Sequence, residues 1–150
     1  MQKEVGEKRL PEKEGVIFLL FKNGKFLLED RKHPEKGYFG YIIIPGGKVE
    51  KIDLNLEKAA ERKVLEECSV VVKKMFHLDS FIHMTMSNHL YQSAAYLVTE
   101  FNGDVTNDEG KADHLWVSFE EAEKLLEFAD SKYILLLAKN ALNERGLLKD

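Results

Sequence analysis

Two apolar runs separated by Asn23-Gly24 restrict this chain more than any other feature. Val16 to Phe21 reads Val-Ile-Phe-Leu-Leu-Phe, and the chain returns as Lys-Phe-Leu-Leu-Glu from Lys25 to Glu29. An Asn-Gly link accepts positive φ at both of its positions, as the type I′ turn of a twisted hairpin demands. An antiparallel strand pair is therefore predicted. A further aromatic and β-branched run, Tyr38 to Ile44, is predicted as a strand that stops at Pro45-Gly46-Gly47, where proline removes a ladder donor and the glycines permit unusual backbone angles. From Leu56 to Cys68 the apolar residues Leu56, Ala60, Val64 and Cys68 recur every fourth position among charges, which predicts an amphipathic helix with Asn55 as its N-cap. Val70 to His83, His89 to Phe101 and Leu115 to Val117 read as further strands of a mixed or antiparallel sheet. The Ser118 and Glu121 spacing is that of a capping box opening a helix to about Phe128. Asp130 is predicted to cap a last helix that runs to Arg145 and stops at Gly146.

The length of 150 residues fits one domain, with 44% hydrophobic and 32% charged residues supplying a core and a solvated surface. Residues 1–14 alternate acid and base with almost no apolar anchor and read as a charged, frayed leader, leaving 15–150 as the domain. No run reaches the length that spans a bilayer, and the N-terminal segment lacks a signal-peptide core, so neither membrane nor export is expected and the location expected is cytoplasmic. A net charge of −4 lacks the footprint of a duplex nucleic-acid binder. The lone Cys68 excludes an internal disulfide framework, and its place on the apolar helix face implies packing. The five histidines show no paired metal-ligand spacing.

Chemistry concentrates between Pro45 and Val70. Gly46 and Gly47 allow the backbone to approach a metal or a phosphate closely, and Lys48, with Arg31, Lys32 and Lys36, lies in a basic stretch suited to a polyphosphate. On the helix that follows, Lys63, Glu66 and Glu67 stand at i, i+3 and i+4 and share one face, with Arg62 one turn before Glu66. Paired carboxylates on a rigid element suit a hard cation such as Mg²⁺, which takes one or two of them together with substrate phosphates.

At this point the sequence resembles the Nudix hydrolase superfamily, whose box runs glycine, five residues, glutamate, seven residues, then Arg-Glu-aliphatic-any-Glu-Glu-any-Gly-aliphatic. Gly47 matches the opening glycine, while Arg62, Val64, Glu66, Glu67 and Val70 match the helical half. Three positions depart from the pattern. The first glutamate falls on Asp53, with one extra residue in the link Lys51 to Leu54; the glutamate after the arginine is Lys63; and the late glycine is Ser69. The order of elements from about Gly15 to Arg145 also resembles the family's.

The resemblance implies an α+β fold, an α/β/α sandwich whose mixed sheet is flanked by helices. It implies a Mg²⁺-dependent pyrophosphohydrolase, Mn²⁺ being the substitute, acting on a nucleoside triphosphate or a similar small nucleotide in which a nucleoside diphosphate is linked to another group. Glu66, Glu67 and the Gly47 carbonyl would hold metal, Arg62 would orient the helix carboxylates, and Gly46, Gly47 and Lys48 would meet substrate. Lys63 removes the first of three helix carboxylates, repels a divalent ion and can pair with Glu67. A replacement acid is expected among Glu50, Glu57, Glu61, Asp108 and Glu109, with Glu109 preferred as extra ligand or base because it lies in the polar loop before Leu115. The alternative is a catalytically weakened Nudix-fold nucleotide-binding or regulatory module. A homodimer is a further expectation carried by the resemblance.

Overall fold

The computed structural model describes residues 10–32, 34, 37–106 and 113–148. Strands β1 (Lys13–Lys22) and β2 (Lys25–Asp30) form the expected hairpin, with Phe21 opposite Phe26. Asn23 and Gly24 carry φ of 53° and 78°, the signature of the primed turn. β1 begins at Lys13, two residues inside the segment read as leader, because its first residues are drawn into a ladder with Tyr91 and Gln92.

β1 is the centre of the molecule. Its length pairs in parallel with β6 (Leu90–Asn102), whose other edge pairs antiparallel with β5 (Val71–Met84). β2 pairs with β3 (Ile42–Ile43) and with β7 (Asp113–Val117), completing a mixed seven-stranded sheet. The segment Tyr38 to Ile44 is strand only at Ile42 and Ile43. Tyr38 and Gly40 take φ of 64° and 89°, and the Gly40 amide donates to the Arg31 carbonyl, so the first half is a turn. Pro45-Gly46-Gly47 does not simply end a ladder either. Gly46–Lys48 is a short strand, β4, lying antiparallel to Gly15–Ile17, and the Pro45 carbonyl accepts from the Phe18 amide.

The continuous apolar run of β1 is explained by cover on both faces. Phe18 and Leu20 pack with Val64 and Cys68 of α1 (Leu56–Cys68), while Leu19 and Phe21 pack with residues of α2 (Phe119–Leu125) and α3 (Ala129–Glu144), such as Ala122, Leu135 and Leu142. Each fully buried Leu or Phe contributes roughly 1.5–3 kcal/mol by leaving water. The result is the expected sandwich of helix, sheet and helices. α1 starts at Asn55, whose side chain accepts from the Lys58 amide, and ends at Ser69, held at φ 64° where the box pattern has glycine. α2 carries the complete capping box of Ser118 and Glu121. α3 departs from expectation: its N-cap is Phe128, without a side-chain cap bond, and Asp130 lies in the first turn, where a carboxylate favours the helix dipole without capping it. Among the described residues no helix is long and apolar enough to cross a membrane.

Candidate functional site

β4 and α1 meet around Arg62. Its Nε and Nη2 donate to the two Asp53 oxygens at 2.8 and 2.9 Å, Nη2 also reaches the Lys48 carbonyl at 3.1 Å, and Nη1 donates to Glu66 Oε2 at 3.0 Å. Asp53 in turn accepts from the Glu50 amide at 2.8 Å. One guanidinium therefore ties the strand, the connecting loop and the helix together, using the planar fork that suits a carboxylate. The Arg62 bonds hold the Asp53 carboxyl well below its ordinary value, at about 2. Asp53 is a contact partner that motif counting reached only as the displaced box glutamate. The extra residue in the loop is absorbed without breaking the pair.

Beside this latch stands Lys63. Its Nζ lies 3.1 Å from Glu67 Oε2 and 3.4 Å from Glu66 Oε1, so the pairing with Glu67 expected from helix spacing is present and a second carboxylate is added. The stem of Lys63 lies against Gly47: a Cβ there would sit 2.0 Å from Cε and 2.8 Å from Nζ. The lysine occupies the space that a side chain at position 47 would enter. At Gly46 a Cβ would instead meet the Val16 carbonyl at 2.3 Å, so that glycine serves the β4 to β1 approach.

Burial disfavours the charged Lys63, but the adjoining Glu67 and Glu66 outweigh it and raise its pKa. Burial raises the Glu67 carboxyl against the opposing pull of Lys63, whereas Glu66, more exposed, is lowered by Arg62 and Lys63 despite its own desolvation. The buried Glu29 adds to the rise at Glu67 and is paired with Arg31 Nη1 at 2.5 Å. Glu29 was not legible as a site residue, since a single acid ending an apolar strand carries no signal of its neighbours.

Gly46, Gly47 and Lys48 line a cleft of roughly 400 Å³ together with Glu29 and Arg31. Phe81, His83 and Tyr91 form an aromatic wall, His83 lying 4.9 Å from Phe81 and 6.0 Å from Tyr91 by ring centroids. His83 Nε2 is 2.9 Å from Ser93 Oγ, and burial lowers its pKa. These walls come from β5 and β6, where Phe81 is opposite Ser93 and His83 opposite Tyr91, a register that no local pattern announces. The aromatics of the first hairpin are elsewhere: Phe18 and Phe26 are fully buried in the core.

Two of the acids named as replacements are engaged elsewhere. Glu57 accepts from the Tyr96 hydroxyl at 3.4 Å, and Glu61 pairs with Lys58. Asp108 and Glu109 lie outside the described residues. Among the described residues, no three His, Cys, Asp or Glu side chains are grouped so as to hold a metal ion. With the Lys63 ammonium shared between Glu66 and Glu67, the donor set of the described residues does not fit a divalent cation. Cys68 packs in the core as expected, and its burial pushes the thiol up to about 12.

The fold is similar to solved structures over most of its length. A MutT NUDIX hydrolase from Burkholderia pseudomallei is 21% identical, covering 86% of this chain and 98% of its own at a TM-score of 0.73. The Escherichia coli ORF135 protein is 27% identical, covering 89% and 91% at 0.69. The NUDIX domain of Shewanella oneidensis NrtR, solved with ADP ribose, is 18% identical, covering 94% of each chain at 0.73. No curated protein matches the sequence. The family model for the NUDIX domain matches residues 11–137, a span that takes in the hairpin, the glycine strand, the Arg62 helix and the sheet they join, and the chain belongs to the NUDIX family.

Proposed function

We propose that this member binds a small nucleoside diphosphate derivative in the cleft between the glycine strand and the aromatic wall, as a binding or regulatory module whose hydrolysis is weakened. The observation that carries this reading is Lys63, whose ammonium bridges Glu66 and Glu67 within the helix face where the family pattern has a third carboxylate. The diphosphate would lie toward Gly46, Gly47 and Lys48, with the base or appended group toward Phe81, His83 and Tyr91. The NrtR NUDIX domain, solved in complex with ADP ribose, supports a ligand of this class on this fold. A cytoplasmic setting and a homodimer accompany the reading as expectations carried from the sequence.

A second reading is favoured by the intact Arg62 latch, which keeps Glu66 oriented. In it the protein is a Mg²⁺- or Mn²⁺-dependent pyrophosphohydrolase of a nucleoside triphosphate or similar nucleotide, with Glu66 and Glu67 as ligands beside the Gly47 carbonyl and Glu109 as the added acid. Phosphate and pyrophosphate release, followed together with thermal stabilisation, separates the two across nucleoside triphosphates, ADP-ribose, NADH and dinucleoside polyphosphates. Stabilisation with little release supports the module. Rapid release abolished by EDTA and by Glu66→Gln supports the hydrolase, and silence in both assays overturns both readings.

A further inference from the structure

Lys63 does more in this geometry than subtract a metal ligand. Its side chain is mostly buried, pressed against Gly47 and directed between Glu66 and Glu67, so it occupies a defined place rather than sampling solvent. Gly47 lines the cleft, and the position of its absent Cβ is 2.8 Å from Nζ, which sets the ammonium just behind the cleft's glycine end. Behind that end the cations Arg62 and Lys63 face the carboxylates Asp53, Glu66 and Glu67, so Lys63 leaves one net negative charge where a glutamate at its position would leave three. Glu29 and Arg31, which also line the cleft, neutralise each other.

A helix face with three glutamates repels a diphosphate until divalent ions intervene. A face in which one of the three positions is an ammonium repels it far less, and of that ammonium's three donors two are directed at Glu66 and Glu67, leaving one to meet a phosphate oxygen. We propose that Lys63 is the built-in cation of this site, so that a nucleoside diphosphate binds with its phosphates against Lys63 and without any divalent ion. The diphosphate part of this inference rests on the nucleotide-binding reading above; the occupancy of the cation position by Lys63 does not.

The test compares wild type, Lys63→Glu and Lys63→Met, the last retaining the packing against Gly47 without charge. Binding of Mn²⁺ alone and of ADP, in EDTA and in Mg²⁺, is measured by calorimetry on the full chain. Wild type is expected to bind ADP equally in EDTA and Mg²⁺ and to take up little Mn²⁺. Lys63→Met is expected to lose about tenfold in ADP affinity in EDTA, the size of one charge-assisted contact. Lys63→Glu is expected to gain Mn²⁺ binding and to need Mg²⁺ for ADP. Wild type that binds Mn²⁺ as tightly as Lys63→Glu overturns the assignment, as does ADP binding by wild type only when Mg²⁺ is present. If ADP binds to no form under any condition, the nucleotide reading and the diphosphate contact fall together, and the Mn²⁺ comparison still decides whether Lys63 holds the cation position. Should Lys63→Glu not fold, the Lys63→Met and metal-dependence arms decide the proposal.

Discussion

Arg62 and Lys63 are neighbours on one helix, yet the regions they organise behave differently. Around Arg62 the family's architecture is retained through substitution: Asp53 stands where a glutamate would, the loop has gained a residue, and the guanidinium still joins loop, strand and helix. At Lys63 an ammonium stands where the family pattern has a glutamate, so the charge at that one position is reversed while Glu66 and Glu67 keep theirs. The comparison teaches that a latch tolerates a change of length because its geometry can be rebuilt with the same charges, whereas a cation site changes its chemistry with a single sign.

The glycine pair offers the most severe way to sharpen that contrast. Gly46→Ala drives a Cβ into the Val16 carbonyl, a backbone atom that cannot move alone, and is expected to cost about 3 kcal/mol in chemical denaturation. Gly47→Ala meets only the Lys63 side chain, so it should leave stability nearly unchanged while displacing the ammonium.

Breaking the latch comes next. Arg62→Ala strands the largely buried Asp53 carboxylate and should remove about 2 kcal/mol, read from the denaturation midpoint. The same pair has a pH signature. Asp53 is lowered from 3.8 to about 2 in the folded protein, so its stabilisation is present above pH 3.8 and is lost as pH falls through about 2. Asp53→Asn should flatten the acid limb of the stability profile in that window, and an unchanged limb would deny the pair its role.

The smallest expected effect is a gain. Ser69 sits at φ 64° at the end of α1, a conformation that costs a residue with a Cβ. Ser69→Gly should raise stability by about 0.5 kcal/mol, partly offset by loss of the 2.9 Å contact from the Thr106 hydroxyl.

What could be read before the structure follows from how local each signal is. The Asn23-Gly24 turn, the Asn55 cap and the Ser118 capping box each depend on a few adjacent residues whose chemistry admits one arrangement, and all three are present. β4 was illegible because a strand of Gly46, Gly47 and Lys48 has no side-chain alternation and exists only through its pairing with β1. The parallel alignment of β1 with β6 joins segments far apart in the chain, and the aromatic wall follows from the register of β5 on β6. For the candidate site, the pairing of Lys63 with Glu67 was legible from helix spacing, whereas its burial against Gly47 was not, since strand and helix must first be brought together. Glu29 was hidden for the same reason.

The central claim is that Lys63 in the cation position is what weakens hydrolysis in this member of the family. Its most direct test is the initial rate of pyrophosphate-bond cleavage by wild type and Lys63→Glu on one nucleotide panel, each with Mg²⁺ and with EDTA. The expected result is slow cleavage by wild type and a roughly hundredfold gain in Lys63→Glu that EDTA abolishes, as restored metal stabilisation of the transition state would give. Rapid, EDTA-sensitive turnover by wild type that Lys63→Glu reduces would contradict it.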